Sequence, residues 1–109
     1  MNFAPTTLPD VIVIEPRVFE DERGFFMETW NSRSFEAAGL NQQFVQDNHS
    51  GSSRGTIRGL HFQIEQAQGK LVRVTSGEIY DVAVDLRRSS VTFGLYVGVV
   101  VSAENRRSV

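Results

Sequence analysis

The sequence predicts an all-β domain, a sandwich or barrel, on three observations. Short runs rich in Val, Ile, Phe and Tyr recur along the chain, turn residues separate them at regular intervals, and only one stretch has helical character. The 109 residues leave room for one core, and no Pro/Ser linker or charge run divides them, so residues 1–109 read as a single domain. Apolar residues make up 40% and charged residues 22%, ordinary globular usage that argues against disorder.

Val11 to Ile14 and Arg17 to Phe19 read as extended segments interrupted by Pro16. Asp21-Glu22-Arg23-Gly24 is a turn with glycine at its last position, after which Phe25 to Trp30 resumes a strand. The helical stretch is short: Asn31 or Ser32 as N-cap, Phe35 and Ala38 on one face, Gly39 as the stop. Gln43 to His49 reads as a further strand and Ser50-Gly51-Ser52-Ser53 as a loop. Thr56 to Gln63, Lys70 to Thr75, Glu78 to Leu86 and Thr92 to Val101 complete the strands, and Ser102 to Asn105 reads as a turn. The last strand then has no successor to pair with before Val109, which leaves an open edge. The expectation is a piece of a longer protein.

Ser76-Gly77 has the composition of a two-residue hairpin turn, which would pair Thr75 with Glu78, Val72 with Asp81 and Lys70 with Ala83. Side chains alternate along a strand. Lys70, Val72, Val74, Ile79, Asp81, Ala83 and Asp85 would then share one face, and Leu71, Tyr80, Val82, Val84 and Leu86 the other. The second, apolar face is expected in the core. The first brings Lys70 within diagonal reach of Asp81 and Asp85, and reads either as the lining of a cavity or as a solvent-facing strand with a cross-strand ion pair.

Bulk charge excludes some functions. A net charge of -2 offers no basic field for nucleic acid, although a local arginine cluster still suits one phosphorylated ligand. The absence of cysteine removes disulfides and thiolate metal sites. Met1 to Pro5 lacks the basic and apolar regions of a signal peptide, and no apolar run approaches the length of a membrane span. The expected location is the cytoplasm, with neither a membrane nor a nucleic acid as partner.

The chemistry concentrates in Arg58-Gly59-Leu60-His61-Phe62-Gln63 and in Lys70, the only lysine beside ten arginines. A histidine moves protons near neutral pH, and a compact ammonium stabilises negative charge growing on an oxygen. Together they fit proton abstraction beside a carbonyl. The alternative is a wall histidine and a solvated lysine. Arg58 and His61 fall on opposite faces of an ideal strand, and a bulge at Gly59 would turn both inward. Gln46-Asp47-Asn48-His49 reads equally as a set of ligand-reading polar groups or as a strand leaving for a loop.

Gly55, His61 and Gly77 keep much of the first motif of the cupins, a family of jelly rolls whose metal is held by a His-x-His pair and a glutamate. Here Gln63 stands at the second histidine position and Lys70 at the glutamate position. An ammonium repels a divalent cation, so the frame reads as kept and the metal as lost.

Arg23-Gly24-Phe25-Phe26 with Glu28, Gln46 to Ser50, Arg58 to Gln63, Gln68 to Arg73, Gly77 to Arg87 and Ser89 to Gly94 together resemble the dTDP-4-dehydrorhamnose 3,5-epimerases, in order and at matching spacings from Val11 to Arg107. The resemblance implies the amino-terminal portion of a metal-free, cupin-like jelly roll, homodimeric and without a cofactor, acting on dTDP-4-dehydro-6-deoxy-D-glucose on the way to dTDP-L-rhamnose. It assigns His61 as general base and Lys70 as the cation facing O4. Arg23, Glu28, Gln46, Asp47, Asn48 and Arg58 would hold the nucleotide, its diphosphate and the sugar; Asp81, Asp85 and Gln63 would line the cavity. The family's proton-donating tyrosine and histidine-orienting aspartate lie beyond Val109, and neither Tyr80 nor Tyr96 fills the role. A sister epimerase acting at C3 or C5 alone, or a nucleotide-sugar-binding cupin without catalysis, would keep the same frame.

Overall fold

A computed structural model describes residues 1–109 and contains three two-stranded antiparallel ribbons and one short helix. Strands β1 (Asn2–Pro5) and β2 (Ile12–Glu15) pair with Phe3 opposite Ile14. Pro16 ends β2, and β3 (Val18–Asp21) pairs with β4 (Gly24–Met27) across the predicted turn. The Asp21 carboxylate fastens that turn by accepting the Arg23 backbone N–H at 2.9 Å and its guanidinium at 2.6 Å.

Helix α1 (Ser32–Ala37) starts where its cap predicts: the Asn31 side-chain oxygen accepts the N–H groups of Arg33 and Ser34 at 3.0 and 3.3 Å. Its one buried residue, Phe35, anchors an aromatic cluster, edge-on to Phe3 and Phe44 with centroids 5.2 and 6.5 Å away.

The third ribbon departs from the sequence expectation. Strand β5 (Glu78–Val84) pairs with β6 (Tyr96–Ser102), placing Ile79 opposite Val101 and Asp81 opposite Val99, and not with Lys70 to Thr75 across Ser76-Gly77. The Lys70 to Thr75 segment instead meets the last residues of the chain: Val72 and Val109 exchange two backbone hydrogen bonds, as do Ser108 and Ile14 on the other side. Residues 107–109 thus lie between β2 and Val72–Arg73 as the third member of a sheet. Gln43 to His49 and Thr56 to Gln63, expected as strands, form no ladder. Extended backbone becomes a strand only against a partner, and nothing in residues 1–109 pairs with these segments.

The predicted core face is divided: Leu71, Val82 and Val84 are half-buried and border the interior cavity, while Tyr80 and Leu86 are exposed. On β6, Val97 and Val99 line the interior and Val101 is fully buried. The Tyr80 ring covers Gly98: a β-carbon there would sit 1.9 Å from the phenolic oxygen, so only glycine admits this packing.

Few interior groups result. Only 7 of the 109 residues are buried, and 9068 Å² of surface stays accessible where about 6,000 Å² is usual for this mass. The radius of gyration, 15.0 Å, exceeds the roughly 13 Å of a closed domain of this length. Phe25, Phe26, Leu60, Phe62 and Ile64 are all exposed. A polypeptide of residues 1–109 expressed alone is therefore expected to self-associate and to lack a cooperative melting transition. Light scattering and calorimetry check this; a monodisperse, cooperatively melting sample would contradict it.

Candidate functional site

The inner face of β5 and β6, the Arg58 to Gln63 segment and the Gln68 to Val72 segment border one open cavity of about 750 Å³. Arg58, His61, Gln63, Lys70, Asp81 and Asp85 all border it, against an apolar wall that includes Ile14, Val97 and Val99. A smaller groove of about 220 Å³ beside α1 contains none of these groups.

Gly59 brings Arg58 and His61 to the same space. Its φ of 102° lies in the region that disfavours side chains, and a β-carbon would stand 3.3 Å from His61 Nδ1. Arg58 donates to the Gly51 carbonyl oxygen at 2.9 Å, fastening the Gly/Ser loop beside it. No group of three His, Cys, Asp or Glu side chains stands where it would hold a metal ion.

Asp85 borders the cavity, but its carboxylate is committed elsewhere. It accepts from the Arg87 guanidinium at 3.0 Å and from the Ser90 and Thr92 hydroxyls at 2.6 Å each, knotting the Asp85–Leu95 loop. Arg87 also reaches Asp10, tying this loop to the start of the chain. The expectation that Lys70 is bracketed by two carboxylates is not met: the 70–75 segment does not pair with β5, Lys70 is in no ion pair, and the Asp85 carboxylate is already taken by its own loop. Three donors, Arg87 first, hold the Asp85 carboxyl well below the usual carboxylate range, and Asp85 and Asp10 raise Arg87.

The sign of the resulting pH dependence follows. With a folded pKa below the ordinary 3.8, Asp85 contributes stability at every pH above that value and loses it as pH falls further. Acid unfolding of the full-length protein is expected to steepen below about pH 3.8. Asp85→Asn should be less stable at neutral pH and show a flatter acid limb; an unchanged limb would remove this role.

The remaining candidates stand outside the cavity. Arg23 is held by Asp21 at the tip of the β3–β4 ribbon, Glu28 accepts from the Asn31 amide at 3.0 Å, and Gln46 donates to Asn48 at 3.2 Å, with Asp47 exposed between them. Within residues 1–109 the base and cation candidates therefore border one open space with Arg58, all three being exposed, while Arg23, Glu28, Gln46, Asp47 and Asn48 lie outside it.

The family signature described as dTDP-4-dehydrorhamnose 3,5-epimerase matches residues 5–109. The chain belongs to this family. The enzyme of that name from Pseudomonas aeruginosa is 65% identical over 110 residues, covering 100% of this chain and 61% of the relative. A crystal structure of dTDP-6-deoxy-D-glucose-3,5-epimerase from Legionella pneumophila, in complex with dTDP-4-keto-L-rhamnose, superposes with a TM-score of 0.94 at 49% identity, over 98% of this chain and 57% of that one. The Bacillus anthracis dTDP-4-dehydrorhamnose 3,5-epimerase, with TDP and PPi bound, gives 0.93 at 47% identity, over 98% and 62%. This family member thus spans about 61% of the length of the curated relative it matches at 65% identity. Its fold is the all-β, cupin-like jelly roll expected from the sequence.

Proposed function

We propose that the full-length protein epimerises C3 and C5 of dTDP-4-dehydro-6-deoxy-D-glucose, giving dTDP-4-dehydro-L-rhamnose for dTDP-L-rhamnose synthesis. The observation that carries this reading is the convergence of Arg58, His61 and Lys70 on one cavity in a chain of this family. The protons on C3 and C5 are acidic because each carbon flanks the C4 ketone. Neutral His61 takes one, the electron pair moves onto O4, and the Lys70 ammonium meets the enolate charge there. Reprotonation from the opposite face inverts the carbon. Gln63 and Lys70 occupy the cupin ligand positions, so the chemistry needs neither a metal nor a cofactor.

Arg58 is the diphosphate partner. Arg23, Glu28, Gln46, Asp47 and Asn48 complete the nucleotide and sugar contacts, and the exposed aromatic rings of the β3–β4 ribbon favour a homodimer. No helix of the chain is long and apolar enough to cross a membrane. A cytoplasmic location fits an enzyme drawing on nucleotide-sugar pools.

Titration of the full-length protein with dTDP tests the assignment. Arg58→Ala should weaken binding about ten- to a hundredfold, the loss of a charged, bidentate contact. Unchanged affinity would remove Arg58 from the nucleotide site. Sugar products resolved by NMR distinguish inversion at both carbons from inversion at one.

A further inference from the structure

Within residues 1–109, Arg106 is the one side chain distant in sequence that hydrogen-bonds to the β3–β4 ribbon, and the adjoining Arg17 lies over the Phe19 ring. The two strands of the ribbon hydrogen-bond to each other, and no backbone hydrogen bond joins residues 18–27 to any residue outside them. A single side-chain hydrogen bond crosses that boundary, from the Arg106 guanidinium to Glu20. Arg106 also lies over the Phe25 ring, 4.2 Å from its centroid. Glu20 and Phe25 are directly opposed in the ribbon register, so one guanidinium grips both strands.

The turn that presents Arg106 is built to hold it still. The Asn105 side chain accepts the N–H groups of Ser102 and Arg107 at 3.0 and 3.1 Å and donates to the Val100 carbonyl at 2.9 Å. The Asn105 N–H in turn donates to Ser102 Oγ at 2.9 Å, and Ser102 is buried. Arg106 is fixed with a φ of 56°, its N–H donating to the Ser102 carbonyl. Its side chain is 24% exposed against 62% for Glu20, so the turn is the fixed partner and the ribbon the held one.

We infer that Arg106 is a positioning residue that sets the orientation of the β3–β4 ribbon, and with it the places of Arg23 at the ribbon tip and Glu28 just past its base. The inference rests on the proposed role of those two residues in holding the nucleotide. Arg106 touches neither His61 nor Lys70, so it acts on affinity and not on the chemical step.

The experiment uses the full-length protein, dTDP titration and steady-state kinetics. Arg106→Met, which keeps the apolar stem and removes the charge, should weaken dTDP roughly five- to tenfold and raise KM alike, with kcat within about twofold. Arg106→Lys should recover part of the loss, and Glu20→Gln should weaken dTDP in the same direction with less risk to folding. In an Arg23→Ala, Glu28→Ala background, Arg106→Met should have little further effect, since it acts through those residues. If the double variant weakens dTDP while Arg106→Met and Glu20→Gln bind like wild type, the inference falls and the nucleotide site stands. A fall in kcat and thermal stability at constant affinity also overturns it, leaving Arg106 a purely structural residue. If the double variant itself binds dTDP normally, the roles of Arg23 and Glu28 fall, and the inference with them.

Discussion

Replacing His61 with asparagine in the full-length protein is expected to abolish exchange of the C3 and C5 protons with deuterated solvent while leaving dTDP binding near wild type. Asparagine keeps the polarity and approximate size of the side chain but cannot take a proton at neutral pH. General-base removal of this kind costs about 10² to 10⁴ in rate. His61 lies against Gly59 beside the cavity and takes part in no hydrogen bond or ion pair of residues 1–109, so the variant should still fold. Incubating the 4-keto sugar in D₂O and following deuterium by NMR separates base loss from binding loss. Normal incorporation at C3 and C5 would assign the base elsewhere.

Lys70→Ala should slow the same exchange by about 10²-fold, the equivalent of roughly 3 kcal/mol of enolate stabilisation. The lysine is in none of the ion pairs of residues 1–109, so its removal breaks no structural contact of that kind. The effect belongs in kcat, because the charge it meets on O4 exists only after the proton has left. A raised KM at unchanged kcat would make Lys70 a substrate anchor.

Local features were legible in the residues themselves. Asn31 caps α1 because its side chain needs only the N–H groups two and three residues ahead, and Asp21-Glu22-Arg23-Gly24 closes its turn within four residues. Glu78 to Leu86 and Thr92 to Val101 carried the pattern of strands, and β5 and β6 lie within them apart from Ser102. The boundaries moved where a polar side chain intervened: Thr92 belongs to the knot around Asp85 and not to β6. Ser76-Gly77 misled because turn composition says that a chain can reverse there, not which strand it will meet. Nor does alternation say which face turns inward: Tyr80 is exposed, and the interior continues onto Val97, Val99 and Val101 of β6.

By itself the sequence determined the family and the candidate groups: a single lysine, a histidine in a glycine-marked segment, no cysteine, and a set of motifs sufficient for the family. These are properties of residue type and short spacing, fixed by covalent order and by contacts a few residues long. Only the tertiary structure decided that Arg87 reaches Asp10 across 77 positions and that Arg106 reaches Glu20 across 86. Contacts at such separations leave no periodic trace in the chain. They form when strand pairing and burial elsewhere offset the entropy of closing long loops, so the groups they join are chosen by the fold as a whole.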